Sequence, residues 1–312
     1  MDQFYDKGEA MRTVDSLTDE RVAKDKQHLA GIHKDKKALQ SMHIVYKENA
    51  QVWRLAKGEQ EMVFTITGAI VTMDLPPIIK ETLGMRDKLK FLSQSIMLTG
   101  CGSDRFKQVV VNLKEMWDRG EREFRQGQLM EWAPAQVQGF NVIELSNRYF
   151  QRRTSASTQG DGICISRDMD PNGILRRLAG DRLEHMEDNE VKYFRGIAGE
   201  KKRYLETKPQ AFRIGDIVEV QCSIVFVVCR GSDMKMKLIL QALALVNCDH
   251  TMNTDKERKK GDEGRGFIGA SKRMKRKVGF EYLDSEEEMG EERSVKHQQQ
   301  ANVEREDMHT DM

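Results

Sequence analysis

The chain has 312 residues and a net charge of +1, and its 38% hydrophobic and 32% charged content makes it more polar than an average globular protein. A net charge so close to zero excludes an attraction of the whole chain to nucleic acid, although local patches of charge matter more than the total. No run approaches the roughly 18 apolar residues of a membrane span, and the length suggests about two domains.

The cysteines predict a reducing compartment. There are five of them, widely spaced and without a CxxC pair, which is not the pattern of a secreted disulfide framework. The chain starts MDQFYDKGEAMRT, which lacks the apolar stretch of a signal peptide. We therefore expect an intracellular protein, either nuclear or cytoplasmic.

Residues 1–150 are predicted to be a mostly helical region. Ser16 and Asp19 are typical of a helix start. Beyond them apolar residues recur at steps of mostly three or seven, at Val22, Leu29, Ile32, Leu39, Met42, Val45, Val52 and Leu55. This stripe is typical of a helix packed on its own domain, and also of a coiled-coil arm over residues 16–56 that joins two copies of the chain.

Later parts of this half predict one strand and two helices. The β-branched run from Met62 to Thr72 is typical of a buried strand, although its pattern alone also fits a helix. Pro76-Pro77 is predicted to open a helix that stops near Gly100-Cys101-Gly102. Ser103 is predicted to cap another helix, which either breaks at Gly120 or tolerates it and continues to Pro134.

Past residue 150 the pattern changes. Residues 151–163 are small and polar, which is typical of a linker. Turn signals such as Asp170-Pro171-Asn172-Gly173 then recur, and Val191–Phe194 and Arg203–Glu206 are predicted to be short strands. These features predict a small antiparallel β-barrel-like domain, SH3-like or OB-like, over residues 164–250.

The clearest pattern of the chain is the hairpin predicted from Phe212 to Val246. Apolar and polar residues alternate along its first strand until Val225 and Val227 make both faces apolar. The returning strand begins with Lys235 and Lys237 on its polar flank. Another strand, a helix of the N-terminal half or a partner must therefore cover the second apolar face.

Residues 251–312 have the composition of a disordered tail. Residues 255–277 hold ten Lys or Arg against four Asp or Glu, and residues 278–312 hold three against eleven. The basic part contains a run that is typical of a nuclear localisation signal or a phosphate contact, and equally of an ordinary solvated charge run. Its basic residues are Lys272, Arg273, Lys275, Arg276 and Lys277.

Two side-chain clusters are weak candidates for chemistry. Cys222, Cys229, Cys248 and His250 lack the close-spaced ligand pairs of a zinc site, which favours cysteines of the core. The acidic residues that follow His185, namely Glu187, Asp188 and Glu190, favour a turn with solvated carboxylates.

The sequence favours a protein without catalytic activity. It contains no nucleophile elbow, P-loop, HExxH or dinucleotide fingerprint, so we predict no catalytic residue, no metal ligand and no cofactor. An enzyme relic would need a pocket with convergent polar groups between the two halves.

Three stretches carry a family resemblance: DPNGILRRL, HMEDNEVKYF, and FRIGDIVEVQCSIVFV with MKMKLILQALALVN. Over about residues 165–250 the chain resembles a multi-copy protein family of mushroom-forming (basidiomycete) fungi. The resemblance implies no activity, cofactor or site residue.

Together these patterns predict an α+β chain with a helical N-terminal half, a small β-barrel-like domain and a disordered tail. The leading functional hypothesis is a non-catalytic binding or scaffold protein, nuclear or cytoplasmic, whose β domain contacts protein or nucleic acid. The alternative is a structural protein that forms homo-oligomers through residues 16–56.

Overall fold

The computed structural model describes residues 1–47, 52–153, 162–197, 203–229 and 231–265. Residues 1–259 form one compact unit, and a second unit begins at Lys260. The helices are α1 (Lys7–Val22), α2 (Lys36–Ser41), α3 (Met85–Lys88), α4 (Asp104–Glu123), α5 (Ile174–Ala179) and α6 (Asp249–Arg265). Short 3-10 helices cover Ile32–Lys34, Leu89–Phe91, Glu187–Asn189 and Pro209–Ala211.

The strands in chain order are β1 (Met42–Lys47), β2 (Val52–Lys57), β3 (Gln60–Glu61), β4 (Val63–Asp74), β5 (Ser93–Thr99), β6 (Ala135–Val137), β7 (Phe140–Arg148), β8 (Gln151–Arg152), β9 (Leu183–Glu184), β10 (Lys192–Ile197), β11 (Arg203–Glu206), β12 (Ile217–Val228) and β13 (Met234–Asn247). All except β8 and β9, which pair with each other, belong to one 11-stranded mixed sheet.

Strand β12 organises this sheet. It pairs antiparallel with β4 and β2 and with β13, while β13 also pairs in parallel with β10 and β7. The link between β7 and β13 is a single residue pair, Ile239 with Ser146, so the curled sheet is not a closed barrel.

The prediction of a helical N-terminal half is wrong. Helix α1 ends at Val22, and Met42–Lys47 pairs antiparallel with Val52–Lys57 instead of forming an extended helical arm. The apolar steps of three and seven therefore combined residues from separate elements. Oligomerisation through residues 16–56 stays a prediction.

Of two further predicted helices, one is replaced mainly by a strand and the other is shorter than expected. Between Pro77 and β5, which starts at Ser93, the chain forms α3 and one 3-10 helix. Helix α4 ends at Glu123 rather than continuing to Pro134. Pairing with β4 and β7 satisfies the backbone of β5, and such tertiary pairing overrides local helix propensity.

The predicted separate, small antiparallel barrel-like domain is also wrong. Strands β4, β5 and β7 of the N-terminal half share one sheet with β12 and β13, and two of the strand pairings are parallel. The sequence could not show the pairings of β12 with β2 and β4, because they join segments more than a hundred residues apart.

Several local predictions are confirmed. The run from Met62 to Thr72 forms most of β4, and the predicted hairpin is β12–β13. Ser103 caps α4, since its hydroxyl accepts a hydrogen bond from the Phe106 amide at 3.0 Å. The apolar stripe of α4 lies in the main core, with Leu113 and Met116 fully buried.

Helix α4 covers one face of the β12–β13 hairpin. Phe226 of β12 packs so close to Gly120 that a Cβ atom at this position would overlap its ring. The ring also lies 5.4 Å from that of Phe124, which follows the helix. The opposite face of the hairpin, which carries Val225 and Val227, lines a groove.

The first residues of the predicted tail form α6, and the rest of it, from residue 266, lies outside the described residues. In the part of the chain that the structure describes, no helix is long and apolar enough to cross a membrane.

Candidate functional site

The groove on the outer face of the hairpin has a volume of about 530 Å³. Its floor is apolar and comes from alternate residues of β12 and β13, among them Val225, Val227 and Ile239. The ends of β1, β2 and β7 and the 3-10 helix Glu187–Asn189 form its walls. Parts of the chain that are distant in sequence therefore meet at one concave surface.

An aromatic pair lies at one edge of this groove, on the face of the sheet that carries Phe226. Tyr46 of β1 lies opposite Trp53 of β2, with ring centroids 4.7 Å apart. Trp53 packs edge-on against Phe124, whose centroid is 5.8 Å away, and thereby connects this edge of the groove to the core. Tyr46 is 48% exposed, so it presents an aromatic surface to solvent on a fixed support.

A cationic wall stands beside the apolar floor. It consists of Arg148, at the end of β7, and Lys237 of β13, with Lys235 close by. Burial lowers the pKa of Lys237 below its usual value, and the positive charges of Arg148 and Lys235 lower it further, while Glu144 acts against this shift. Among the described residues, none of these three cations forms an ion pair with a carboxylate.

A second wall contains a carboxylate that is shared by two cations. Asp188 accepts hydrogen bonds from Arg54 at 2.9 Å and from Lys47 at 3.0 Å. Arg54 also pairs with Glu61. Asn147 holds the Asp188 segment in place, because its amide donates at 2.9 Å to the carbonyl oxygens of both Asp188 and Leu240.

The groove therefore has an excess of positive charge, most of it on one side. Arg54, Arg148 and Lys237 line it together with one carboxylate, Asp188, which is already paired. Aromatic rings, an apolar floor and unpaired cations are the groups that bind planar, negatively charged ligands.

A second cavity, of about 220 Å³, lies where the N-terminal and C-terminal segments meet. Its charged groups are engaged with one another: Tyr204 donates to the buried Glu219, and the Nε of Arg21 lies 3.8 Å from Glu219. Burial and this hydrogen bond raise the pKa of Tyr204.

The structure describes some of the residues that the sequence singled out, but not all of them. Lys272, Arg273, Lys275, Arg276 and Lys277 lie outside the described residues. Cys222 is fully buried, and burial raises the pKa of its thiol to about 12. Among the described residues, no group of three or more His, Cys, Asp or Glu side chains is arranged to hold a metal ion.

His185 and the acidic residues that follow it lie in different surroundings. His185 is buried, with Nδ1 2.7 Å from the carbonyl oxygen of Tyr149, whereas Asp188 reaches the groove. The predicted turn at Asp188 is part of the 3-10 helix Glu187–Asn189.

Sequence reasoning missed the groove itself. Trp53, Tyr46 and Arg148 were not singled out, because the first two lie in the stretch interpreted as a helix and the third lies in an unpredicted strand. The β-branched and aromatic residues of HIVYK and VWRLAK are the signal that could have identified strands here.

No family model matches the chain, and no curated protein matches it. A solved structure with a slight likeness is gp2.5, a single-stranded DNA binding protein encoded by bacteriophage T7, at 13% sequence identity and a TM-score of 0.33. The match covers 60% of this chain and 92% of that one. A likeness this slight identifies neither the fold nor the family of the chain.

Proposed function

We propose that the groove binds single-stranded nucleic acid, and that the protein acts by binding. The observation that carries the proposal is an apolar floor beside Arg148 and Lys237, two cations without a carboxylate partner among the described residues, with the exposed ring of Tyr46 at its edge. Stacking on aromatic rings together with backbone contact by cations is the usual way in which proteins hold an unpaired strand.

The exposed ring of Tyr46 favours a single strand over a duplex as the ligand. Tyr46 offers its ring to solvent, and only an unpaired base has a free face to stack on it. Arg148 and Lys237, which lie beside the apolar floor, would contact the phosphates of the same strand. The near-zero net charge of the chain agrees with a local site, since a small patch of unpaired cations is enough to neutralise a few phosphates.

The basic run at residues 272–277 needs to be separated from the groove in any test, because it could bind phosphates by itself. We propose that it acts as an independent basic element, a nuclear localisation signal or a phosphate contact. A variant with its five Lys and Arg residues replaced by alanine removes this contribution while it leaves the groove intact.

The experiment measures the binding of a fluorescent oligothymidine to this alanine variant by anisotropy. We expect Tyr46→Ala to weaken binding roughly tenfold, because the loss of one stacked base costs about 1–3 kcal/mol. Phe4→Ala is the matched control, since Phe4 is a similarly exposed aromatic residue that does not line the groove. Equal affinity of both variants and the parent, or no binding by the parent, would refute the proposal.

A further inference from the structure

We infer that the bound strand leaves the groove past Phe91 and continues into an arginine-rich pocket, so that groove and pocket form one track. This inference rests on the proposed function and extends it, since it assigns a second anion-binding site and the path between the two.

The arginine-rich pocket lies between α3 and the β8–β9 pair and has a volume of about 850 Å³. Two carboxylates line it, Asp87 and Asp181, against five cations: Arg86, Lys90, Arg152, Arg153 and Arg182. This excess of positive charge favours a negatively charged ligand.

Three of these five cations are available to a ligand. Arg86 pairs with Glu81 and Arg153 with Glu184, at 2.7 and 3.5 Å. Lys90, Arg152 and Arg182 form no ion pair with a carboxylate of the described residues. Arg152 lies in β8 and Arg182 directly precedes β9, so the pairing of these two short strands brings both arginines to the same pocket.

Phe91 connects the pocket to the groove. Its ring is 57% exposed and has two cations close to it, with the Arg148 guanidinium 5.5 Å and the Lys90 ammonium 4.7 Å from the ring centroid. Arg148 lines the groove and Lys90 lines the pocket. An exposed ring beside two such cations is suited to stack a base whose phosphates contact both of them.

The backbone holds the two ends of this path in a fixed relation. The Tyr149 amide donates to the Leu92 carbonyl oxygen at 3.0 Å, which joins the chain after Phe91 to the end of β7. The chain then passes from Gln151, which lines the groove, directly to Arg152, which lines the pocket. The track therefore follows one continuous piece of backbone.

Oligonucleotide length tests the track. In the 272–277 alanine variant, we expect an oligothymidine of about six nucleotides to occupy the groove alone and one of about twenty to reach the pocket. Lys90→Ala/Arg182→Ala should leave the affinity for the short oligonucleotide within about twofold and weaken the long one roughly tenfold. For the long one, the slope of log affinity against log salt should fall by about 1.4, which corresponds to about 0.7 for each phosphate that is no longer neutralised.

The matched control is Lys36→Ala/Lys37→Ala, which removes two exposed cations of α2 that line neither site. It should bind both lengths like its parent. Equal weakening of both lengths by Lys90→Ala/Arg182→Ala, or no weakening of either, would overturn the track while leaving the groove proposal intact. If the parent fails to bind the short oligonucleotide, the groove proposal itself fails, and the track fails with it.

Discussion

Tyr46 of β1 lies directly opposite Trp53 of β2, with ring centroids 4.7 Å apart and ring planes inclined by 47°. Because Trp53 also packs edge-on against Phe124, and Phe124 packs against Phe226, a series of four aromatic rings leads from the edge of the groove to the core. The outer ring is therefore positioned by packing, and a ligand that stacks on it does not have to order it first.

The position of Trp53 at the groove predicts that tryptophan fluorescence reports on ligand binding. The chain has three tryptophans, and Trp53 is the one that lines the groove. We expect oligothymidine to quench the fluorescence of the parent and of Trp132→Phe, but to have little effect on Trp53→Phe. Trp53→Phe should still bind within about tenfold of the parent, because phenylalanine keeps an aromatic ring at this position. An undiminished quench in Trp53→Phe would place the ligand elsewhere.

The shared carboxylate predicts a variant that binds more tightly. Asp188 neutralises Arg54 and Lys47 at the edge of the groove. Asp188→Asn would release Lys47 for a phosphate and leave Arg54 paired with Glu61, so we expect affinity to rise several-fold and the salt slope to steepen by about 0.7 for the additional phosphate that is neutralised. Asp168→Asn is the control, since Asp168 pairs with Lys208 and does not line the groove. Weaker or unchanged binding by Asp188→Asn, measured by anisotropy, would contradict this account.

The close approach of α4 to β12 predicts a large effect of one methyl group. Gly120→Ala would place a Cβ against the Phe226 ring, and such overpacking costs about 1–3 kcal/mol. We expect urea denaturation to show a loss of this size. Gly8→Ala in α1, where the nearest atom to a new Cβ is 3.4 Å away, should leave the free energy of unfolding unchanged or slightly higher. Equal stability of the two variants would argue against this packing.

The buried His28 predicts a pH dependence of stability. Burial lowers its pKa from 6.5 to about 4, although Asp25 and Glu219 act in the opposite direction. Its Nδ1 accepts from the Ala30 amide at 3.2 Å, and its Nε2 lies 3.1 Å from the Thr67 hydroxyl, which suits the neutral ring. Because the unfolded chain binds this proton more readily, the contribution to stability is complete above about pH 6.5 and is lost as pH falls towards 4.

The loss of stability at low pH follows from the lowered pKa of His28. Each pKa unit corresponds to about 1.36 kcal/mol, so the shift from 6.5 to about 4 gives about 3 kcal/mol in all. His28→Gln lacks the titrating group, so its deficit in stability relative to the parent should shrink by about this amount between pH 7 and pH 4. Urea denaturation across this range measures the deficit. A deficit that stays constant with pH would show that His28 has an ordinary pKa.

The sequence predicted the elements whose pattern is local. The hairpin β12–β13 alternates residue by residue, and α4 has both a cap at Ser103 and a regular apolar stripe, so each carries its own signal. The stretch with Tyr46 and Trp53 has apolar residues at spacings that fit a helix as well as a strand. Its pairing with β12, through Val225 opposite Arg54, was decisive and is invisible in the sequence.

The groove could not be predicted for the same reason. Arg148 and Lys237 are nearly ninety residues apart in the chain and meet because β7 and β13 are neighbours in the sheet. The sequence did indicate that Val225 and Val227 give the hairpin a second apolar face. We expected another strand, a helix or a partner to cover that face. In the structure it forms the floor of the groove.

The most direct test of the groove is the salt dependence of oligothymidine binding in the 272–277 alanine variant, with and without Arg148→Ala/Lys237→Ala. If these cations contact phosphates, the double variant should bind at least tenfold more weakly, and its slope of log affinity against log salt should be lower by about 1.4. Binding with the parent's affinity and an unchanged slope would contradict the central claim.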